Sequence, residues 1–547
     1  MKARPLFVAA VGALAVLALA LPCSAARRKP RKPAKDLAGR VIGSIRIESF
    51  DVFNTNVYPE SLPLYRMANA VHRTTRESVV RRELLFAVGD PYDANLLRET
   101  ERNLRQLAII RHASADAVVN SSGTVDVVVR TYDAWSLELI ANFKRAGGAS
   151  EWKAGVTERN LLGTGKTVSA VYNQSGRTPS KSVEWRDTHF LGFSHLNQTL
   201  SAAAGPDSRH YAFGVERPFF ASITRHAYGL KGSWDESKAS VYAGEAPGGE
   251  VLRRGGEAGA SWGVSLATST ERTRRVRTGI MGRHVEFSRA PWSPDAVIPA
   301  REQLVFLQLG AEWEDLDFVT ERRMQKFTHD EDYNLGLAVF PTMSWAPPVR
   351  ALGASQSQLL PGVIVRKGFD WEDRLLLLRA SYGTSFVNAA NSNRVAGADA
   401  VFFAAGLLPR QTLAFHAAYD HGWRLDPGAR LRLGESNGLR GYGLEQFAGE
   451  RRVVFNAEDR FFLMDEWLRV LDVGAVLFYD AGWAWNSSTR TQLTDLRHSV
   501  GVGLRLAPSR SGSNSPVRID LARALNPNGT NSRWSLSILA GHAFGPE

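Results

Sequence analysis

The chain has 547 residues, a formal net charge of +12, 44% hydrophobic and 22% charged residues. After residue 26 no stretch approaches 18 consecutive apolar residues, which excludes a membrane-spanning helix. Cys23 is the single cysteine, so disulfides and thiolate metal sites are excluded. The histidines show no His-Glu-x-x-His or similar spacing, so neither a metal nor another cofactor is expected.

The N-terminus reads as a secretory signal. Lys2 and Arg4 precede an apolar run from Leu6 to Leu21, Pro22 breaks it, and Cys23-Ser24-Ala25-Ala26 supplies small residues for cleavage after Ala25 or Ala26. Export excludes a nucleic-acid role. Residues 27–39 form a basic linker, in which six of the nine residues from Arg27 to Lys35 are Lys or Arg and two are Pro. A solvated, disordered segment fits this composition, and attraction to anionic headgroups is the sharper reading.

Residues 40–134 read as a compact α+β unit in the order β-α-α-β-β. Val41 to Phe50 alternates as a two-faced strand. Residues 76–86 suit a helix, with Val80 and Leu84 four apart. Gly89-Asp90-Pro91 breaks the chain, and Asp93 can cap a second helix reaching about Leu107. Strands near Ile109–Val119 and Thr124–Tyr132 close the unit, and Leu64–His72 suits a short extra helix.

From Trp135 the period becomes two. Lys166–Gln174, His210–Glu216, Ser499–Leu506 and Val517–Ala522 alternate apolar with polar residues. The polar faces carry Glu216, Asp480, Arg505, Arg518 and Asp520, which suit a wet lumen better than a dry sandwich core. A sheet that crosses lipid must close on itself. Residues 135–547 therefore read as a transmembrane antiparallel β-barrel of about 16 strands with long outer loops. Strand boundaries blur between about 255 and 420.

The segment Gly434–Gly443 is a glycine-rich loop that carries an arginine. Inside a barrel, Arg440 requires a carboxylate. Glu458 on the strand-like stretch Arg451–Phe461 and Asp480 after Leu471–Tyr479 are available. Gly434-x-Ser436-x-Gly438 matches a nucleophile elbow, but Gly441-Tyr442-Gly443 follows where a helix is required, so an enzyme is not expected. Gly163-Thr164-Gly165-Lys166-Thr167 hints at a phosphate loop, but Asn160 stands where its first glycine belongs.

Four motifs occur in order: Glu158-Arg159-Asn160-Leu161-Leu162-Gly163-Thr164-Gly165, Leu439-Arg440-Gly441-Tyr442, Asn456-Ala457-Glu458-Asp459-Arg460 and Phe478-Tyr479-Asp480-Ala481-Gly482. Together they resemble the BamA/TamA superfamily of outer-membrane assembly and translocation barrels (bacterial surface antigen type). The α+β unit is similar to that family's periplasmic POTRA domain, and one such unit fits before residue 134. The resemblance implies that Arg440 reaches across the lumen to Asp480 and Glu458, with Tyr442 packed against the wall near Phe478, and it counts Gly482 with these three as the loop's partners on the barrel wall. It assigns Asn160, Leu161, Gly163 and Gly165 to a turn. It implies a weak lateral seam between the first strand, about Ser136–Phe143, and the last, Trp534–Ala543, where a client pairs by β-augmentation. The chain end, Phe544-Gly545-Pro546-Glu547, departs from the terminal aromatic of such barrels.

The function so implied is assistance to insertion, assembly or translocation of polypeptides at the outer membrane, with the POTRA-like unit in the periplasm. The implied partners are outer-membrane lipids, unfolded or secreted polypeptide clients, and periplasmic or lipoprotein accessory subunits. Two other readings stay open: a passive pore or structural barrel without clients, and an exported soluble β-protein or hydrolase.

Overall fold

The computed structural model describes residues 37–146, 149–175, 178–243, 246–349, 356–426, 429–489, 491–512, 515–527 and 533–545. The signal segment 1–26, and the basic linker up to residue 36, lie outside them.

The N-terminal unit comprises β1 (Ile42–Phe50), α1 (Pro63–Val71), α2 (Glu77–Glu83), α3 (Ala94–Gln106), β2 (Ile110–Val119) and β3 (Val125–Asp133). Its sheet has the order β1-β3-β2, with β1 parallel and β2 antiparallel to β3. The period-two pattern of β3 buries Val125, Val127 and Val129 against Val79 and Val80 of α2 and Leu97 and Leu104 of α3. The Asp93 carboxylate accepts the Asn95 N–H at 2.7 Å, capping α3 as its position predicts. Helix α1 is the short extra helix that Leu64–His72 suits, beginning one residue earlier, and its Tyr65 packs on Phe53.

The rest of the described chain is a closed barrel. Its strands are β4 (Leu137–Ala146), β5 (Ala149–Glu158), β6 (Thr167–Ser175), β7 (Thr178–Asp187), β8 (Asn197–Gly205), β9 (Ser208–Arg217), β10 (His226–Ala243), β11 (Ala246–Thr268), β12 (Arg272–Arg289) and β13 (Glu302–Asp315). After an inserted hairpin, β14 (Phe318–Glu321) and β15 (Glu331–Asn334), come β16 (Ala338–Ala346), β17 (Gln358–Trp371), β18 (Arg374–Val387), β19 (Ala390–Ala405) and β20 (Gln411–Trp423). A second inserted hairpin, β21 (Leu431–Leu433) and β22 (Phe447–Gly449), precedes β23 (Arg451–Trp467), β24 (Leu471–Trp485), β25 (Arg497–Pro508), β26 (Val517–Ala524) and β27 (Trp534–Ala540).

Twenty strands close this ring, not the expected 16 or so. The difference lies in the connections. Five of the ten connections at the rim away from the N-terminal unit are only two residues long, so fewer residues go into loops. Between β18 and β19, Asn388 and Ala389 both have positive φ, the twist of a two-residue hairpin. The sheet follows chain order with each strand antiparallel to the next. Apolar side chains such as Tyr211, Phe213, Leu477, Val502, Leu504 and Leu521 face outward, as a wall in lipid requires.

The N-terminal unit is fastened to one rim. Tyr65 donates to the Leu468 carbonyl at 2.9 Å, Arg510 pairs with Glu60 at 2.7 Å, and Ser222 donates to Glu99 through both its N–H and its hydroxyl. These barrel residues all lie in turns at the rim where β4 begins.

Candidate functional site

The described residues between β20 and β23, 424–426 and 429–450, leave the barrel and return to it. The hairpin β21–β22 carries them inward, with Leu433 against Gly482, where a Cβ would approach Leu433 to 2.9 Å. Gly482 thus thins the wall beneath the loop. At the tip, the Arg440 guanidinium binds Asp480 through Nε and Nη2, both at 2.8 Å, and its Nη1 binds Glu458 at 2.9 Å. The bidentate contact fixes orientation as well as charge. Nη1 also reaches Asp520 at 3.3 Å, and the guanidinium lies 3.5 Å over the Phe478 ring.

The sequence motifs supply two of these three carboxylates. Asp520 completes the set from β26. Its inward alternation was legible, but its meeting with Arg440 across the barrel was not. Arg460 binds Glu458 at 2.8 Å, Arg505 binds Asp520 at 2.5 Å, and Arg518 stands 3.3 Å from Asp520. Four guanidinium groups therefore share three carboxylates, all buried. Asn456 links the cluster to the loop backbone, donating to Asp480 at 2.7 Å and to the Gly438 carbonyl at 2.8 Å. Such a cluster supplies geometric specificity more than net stability, because desolvation offsets much of the attraction.

Tyr442 departs from expectation. It packs edge-on to Phe447, among Leu433, Leu439 and Val454, and not on Phe478. Its hydroxyl donates to the His498 carbonyl, with Asn526 Oδ1 also at 2.9 Å. The guanidinium of Arg440 covers Phe478 instead. Gly441 has φ +90°, and a Cβ there would meet the Ala524 backbone N at 3.0 Å, so the loop crosses β26 at a point only glycine tolerates.

The expected seam strands are neighbours, with shifted ends. Ser136 lies just before β4, and Ala543 lies beyond β27. β27 pairs with β26 along its whole length, but with β4 only through Leu536–Arg145, Ser537–Lys144 and Ile538–Phe143. Among the described residues, the rim half of β4 from Leu137 to Asn142 has no partner on that side, and Leu139 is 82% exposed.

The rim mouth holds a second inward element. The hairpin β14–β15 and its tip pack Met324 and Leu335 against Leu375, Val401, Phe403 and Ala414 of the wall. The Glu331 carboxylate folds the tip by accepting the N–H groups of Met324, Gln325 and Lys326, each at 3.0 Å. Arg460 of the buried cluster donates to the Met324 carbonyl at 2.6 Å, and Phe327 meets Phe462 edge-on. The chain end turns in beside it: His542 donates to the Gln325 carbonyl at 2.7 Å, and Phe544 stacks on His416. Arg105 of α3 grips the hairpin through Asp332 at 2.8 Å.

The turn motif holds the N-terminal unit. Asn160 donates to the Arg73 carbonyl at 3.2 Å and to Thr75 at 3.0 Å, while its Oδ1 accepts the Gly165 N–H at 2.9 Å. Leu161 closes the turn by donating to the Lys166 carbonyl, and the Arg76 N–H donates to the Gly163 carbonyl. A Cβ on Gly163 would meet the Thr74 carbonyl at 2.6 Å. The sequence reading missed a second turn of this form, Asp187-Thr188-His189-Phe190-Leu191-Gly192. Leu162 and Leu191 share φ near 55°, and Gly163 and Gly192 follow with positive φ. The spacing of acid, Asn or His, Leu and Gly is the signal that would have revealed it. This second turn receives Glu83 of α2 between His189 at 3.1 Å and His195 at 3.4 Å.

Two outcomes follow from this junction. N160A combined with G163A should free the unit, read as faster proteolytic release of residues 40–134 from an intact barrel. Acid should also loosen it. Burial is the main force holding the His195 imidazole below its usual range, against the opposing pull of Glu83. The folded state therefore prefers neutral His195, and its contribution is full above about pH 6.5 and declines as pH falls below that value. Proteolytic release should rise between about pH 6.5 and 5, and H195F, which keeps an aromatic ring on Phe220, should flatten the dependence.

No protein-family model matches the chain. It is 32% identical over 131 residues to the outer membrane protein assembly factor BamA of Neisseria meningitidis serogroup B, a match covering 22% of this chain and 16% of that protein. The matched segment is thus a small part of that relative's length. Among solved structures, CdiB from Acinetobacter baumannii aligns with a TM-score of 0.45 at 12% identity, covering 92% of this chain and 73% of that one. BamA from Haemophilus ducreyi lacking POTRA domains 1–3 aligns with a TM-score of 0.38 at 12% identity, covering 92% and 84%. Structural likenesses this distant carry no functional argument.

Proposed function

On the premise that this chain is a relative of the BamA/TamA superfamily of outer-membrane barrels, we propose that it assists insertion, assembly or translocation of polypeptides at the outer membrane. The α+β unit acts as a single POTRA-like domain on the periplasmic side, and Arg440-Gly441-Tyr442 acts as a latch inside the lumen. The observation that carries this reading is the unpaired rim half of β4 beside a β27 that is paired along its whole length only with β26. An open edge in lipid leaves backbone donors and acceptors unmet, and an incoming strand satisfies them by β-augmentation. The reaction requires no nucleotide, since pairing and apolar burial of the client supply the driving force.

A passive pore is the second reading, and the filled rim mouth weighs against it. The clients are unfolded or secreted polypeptides, and periplasmic or lipoprotein subunits are the fitting accessories. In a F143C/I538C variant the two thiols face each other across the seam, where Phe143 and Ile538 are register partners. Oxidation should abolish activity and reduction should restore it; equal activity in both states would remove the lateral seam from the account.

A further inference from the structure

We propose that Glu435 is a positioning residue that clasps the last barrel strand to the inward-folded loop, and that release of this clasp is the step that frees β27. The inference rests on the lateral-seam reading above.

Glu435 sits in the short turn Glu435–Asn437, five residues before Arg440, and it is buried. Its Oε2 accepts the Gly441 N–H at 2.7 Å and the Ser535 hydroxyl at 2.9 Å. The Ser535 oxygen itself lies 3.0 Å from the same Gly441 N–H. One carboxylate, one hydroxyl and one backbone N–H therefore close a three-way knot between the loop and β27. Ser535 is the second residue of β27, opposite Ala522 of β26.

The two grips of the loop differ in kind. Arg440 binds carboxylates on β23, β24 and β26 through charged partners. Glu435 reaches the next strand, β27, through neutral donors. Its second oxygen, Oε1, is buried and accepts no hydrogen bond among the described residues. A carboxylate so placed is incompletely compensated, and its bonds exchange more readily than a bidentate ion pair. The weaker grip also falls on the strand with the shortest pairing to its neighbour. The loop tip can therefore stay anchored while β27 departs, and the vacated Glu435 oxygen is an acceptor for the N–H groups of an entering strand. That gives the opening a direction: β27 moves and the Arg440 cluster does not.

The test is hydrogen exchange on the full chain in lipid nanodiscs, which reads opening of the bonds between β27 and β4. S535A and E435A should each speed exchange in peptides spanning 533–541 and 140–146 by roughly tenfold, the loss expected for one hydrogen bond to a charged group. S535T, which restores the hydroxyl, should return the rate to that of the unmodified chain. Exchange in β12 and β13 should not change. Unaltered seam exchange in S535A would overturn the proposal, as would acceleration spread equally over all strands, which marks general destabilisation. Seam exchange reports the clasp alone. Whether a seam locked by F143C/I538C stops activity tests the underlying reading separately.

Discussion

R440A assembles a closed, heat-modifiable barrel yet fails to replace the unmodified protein in cells. The expectation follows from the charge balance. Removing one of four guanidinium groups leaves Arg460 on Glu458 and Arg505 and Arg518 on Asp520, so the cluster becomes neutral as a whole, while Asp480 loses its cation and retains the Asn456 amide. The loop is what loses. Its tip forfeits the four hydrogen bonds of the guanidinium and keeps only the backbone N–H on Asp480, and breaking a buried pair of this kind costs about 3–5 kcal/mol. Residues 424–450 should become protease-sensitive while the barrel stays resistant. R440K should behave like R440A, since an ammonium cannot present a bidentate fork. Full complementation by R440A would end the latch assignment.

The second large effect concerns the rim mouth. Deleting Arg322–Asp330 should turn a quiet channel into one with several-fold higher conductance in planar bilayers. The tip carries Met324 and Phe327 into the lumen, and its removal exposes the apolar patch of Leu375, Val401, Phe403 and Ala414. F327A should give an intermediate, flickering conductance, because it loses the edge-on contact with Phe462 but keeps the folding of the tip by Glu331. R105A should raise opening less, since only the tie from α3 to Asp332 is lost. If the deletion conducts no better than the unmodified chain, this hairpin is not the barrier.

The same hairpin explains where the sequence was hard to read. Alternation was plain in β25 and β26, whose inward faces carry the charged side chains Arg505, Arg518 and Asp520. In β19 it vanishes: Ala400 to Ala404 are buried on both faces. Phe402 packs outward among Trp371 and Phe415, while Phe403 packs inward on the hairpin and the chain end. An apolar lining erases the two-residue period. The blurred region between about 255 and 420 takes in this lining and most of the long strands β11 and β12.

The site divides in a similar way. Glu458 and Asp480 were legible because each sits in a compact local motif. Asp520 and Glu435 were not, since their roles depend on strands meeting 80 and 100 residues away along the chain. Asn160 was named as part of a turn, but its grip on Arg73 and Thr75 joins two units and leaves no trace in spacing. The inward turn of Phe544 belongs to the same class, because its partners, His416 and the lining around Phe403, lie more than 100 residues away along the chain.

If clients pair with the open edge of β4 as proposed, the α+β unit at the same rim lies on their way to it. The most direct measurement places a photo-crosslinking residue at Val118, exposed on edge strand β2, in the intact protein in cells during synthesis of outer-membrane proteins. The account predicts adducts with newly made outer-membrane or secreted polypeptides, which chase away as those clients mature and accumulate in the oxidised F143C/I538C background. Absence of client adducts at this position and at Leu139 of β4, with normal outer-membrane protein levels after depletion, would contradict it.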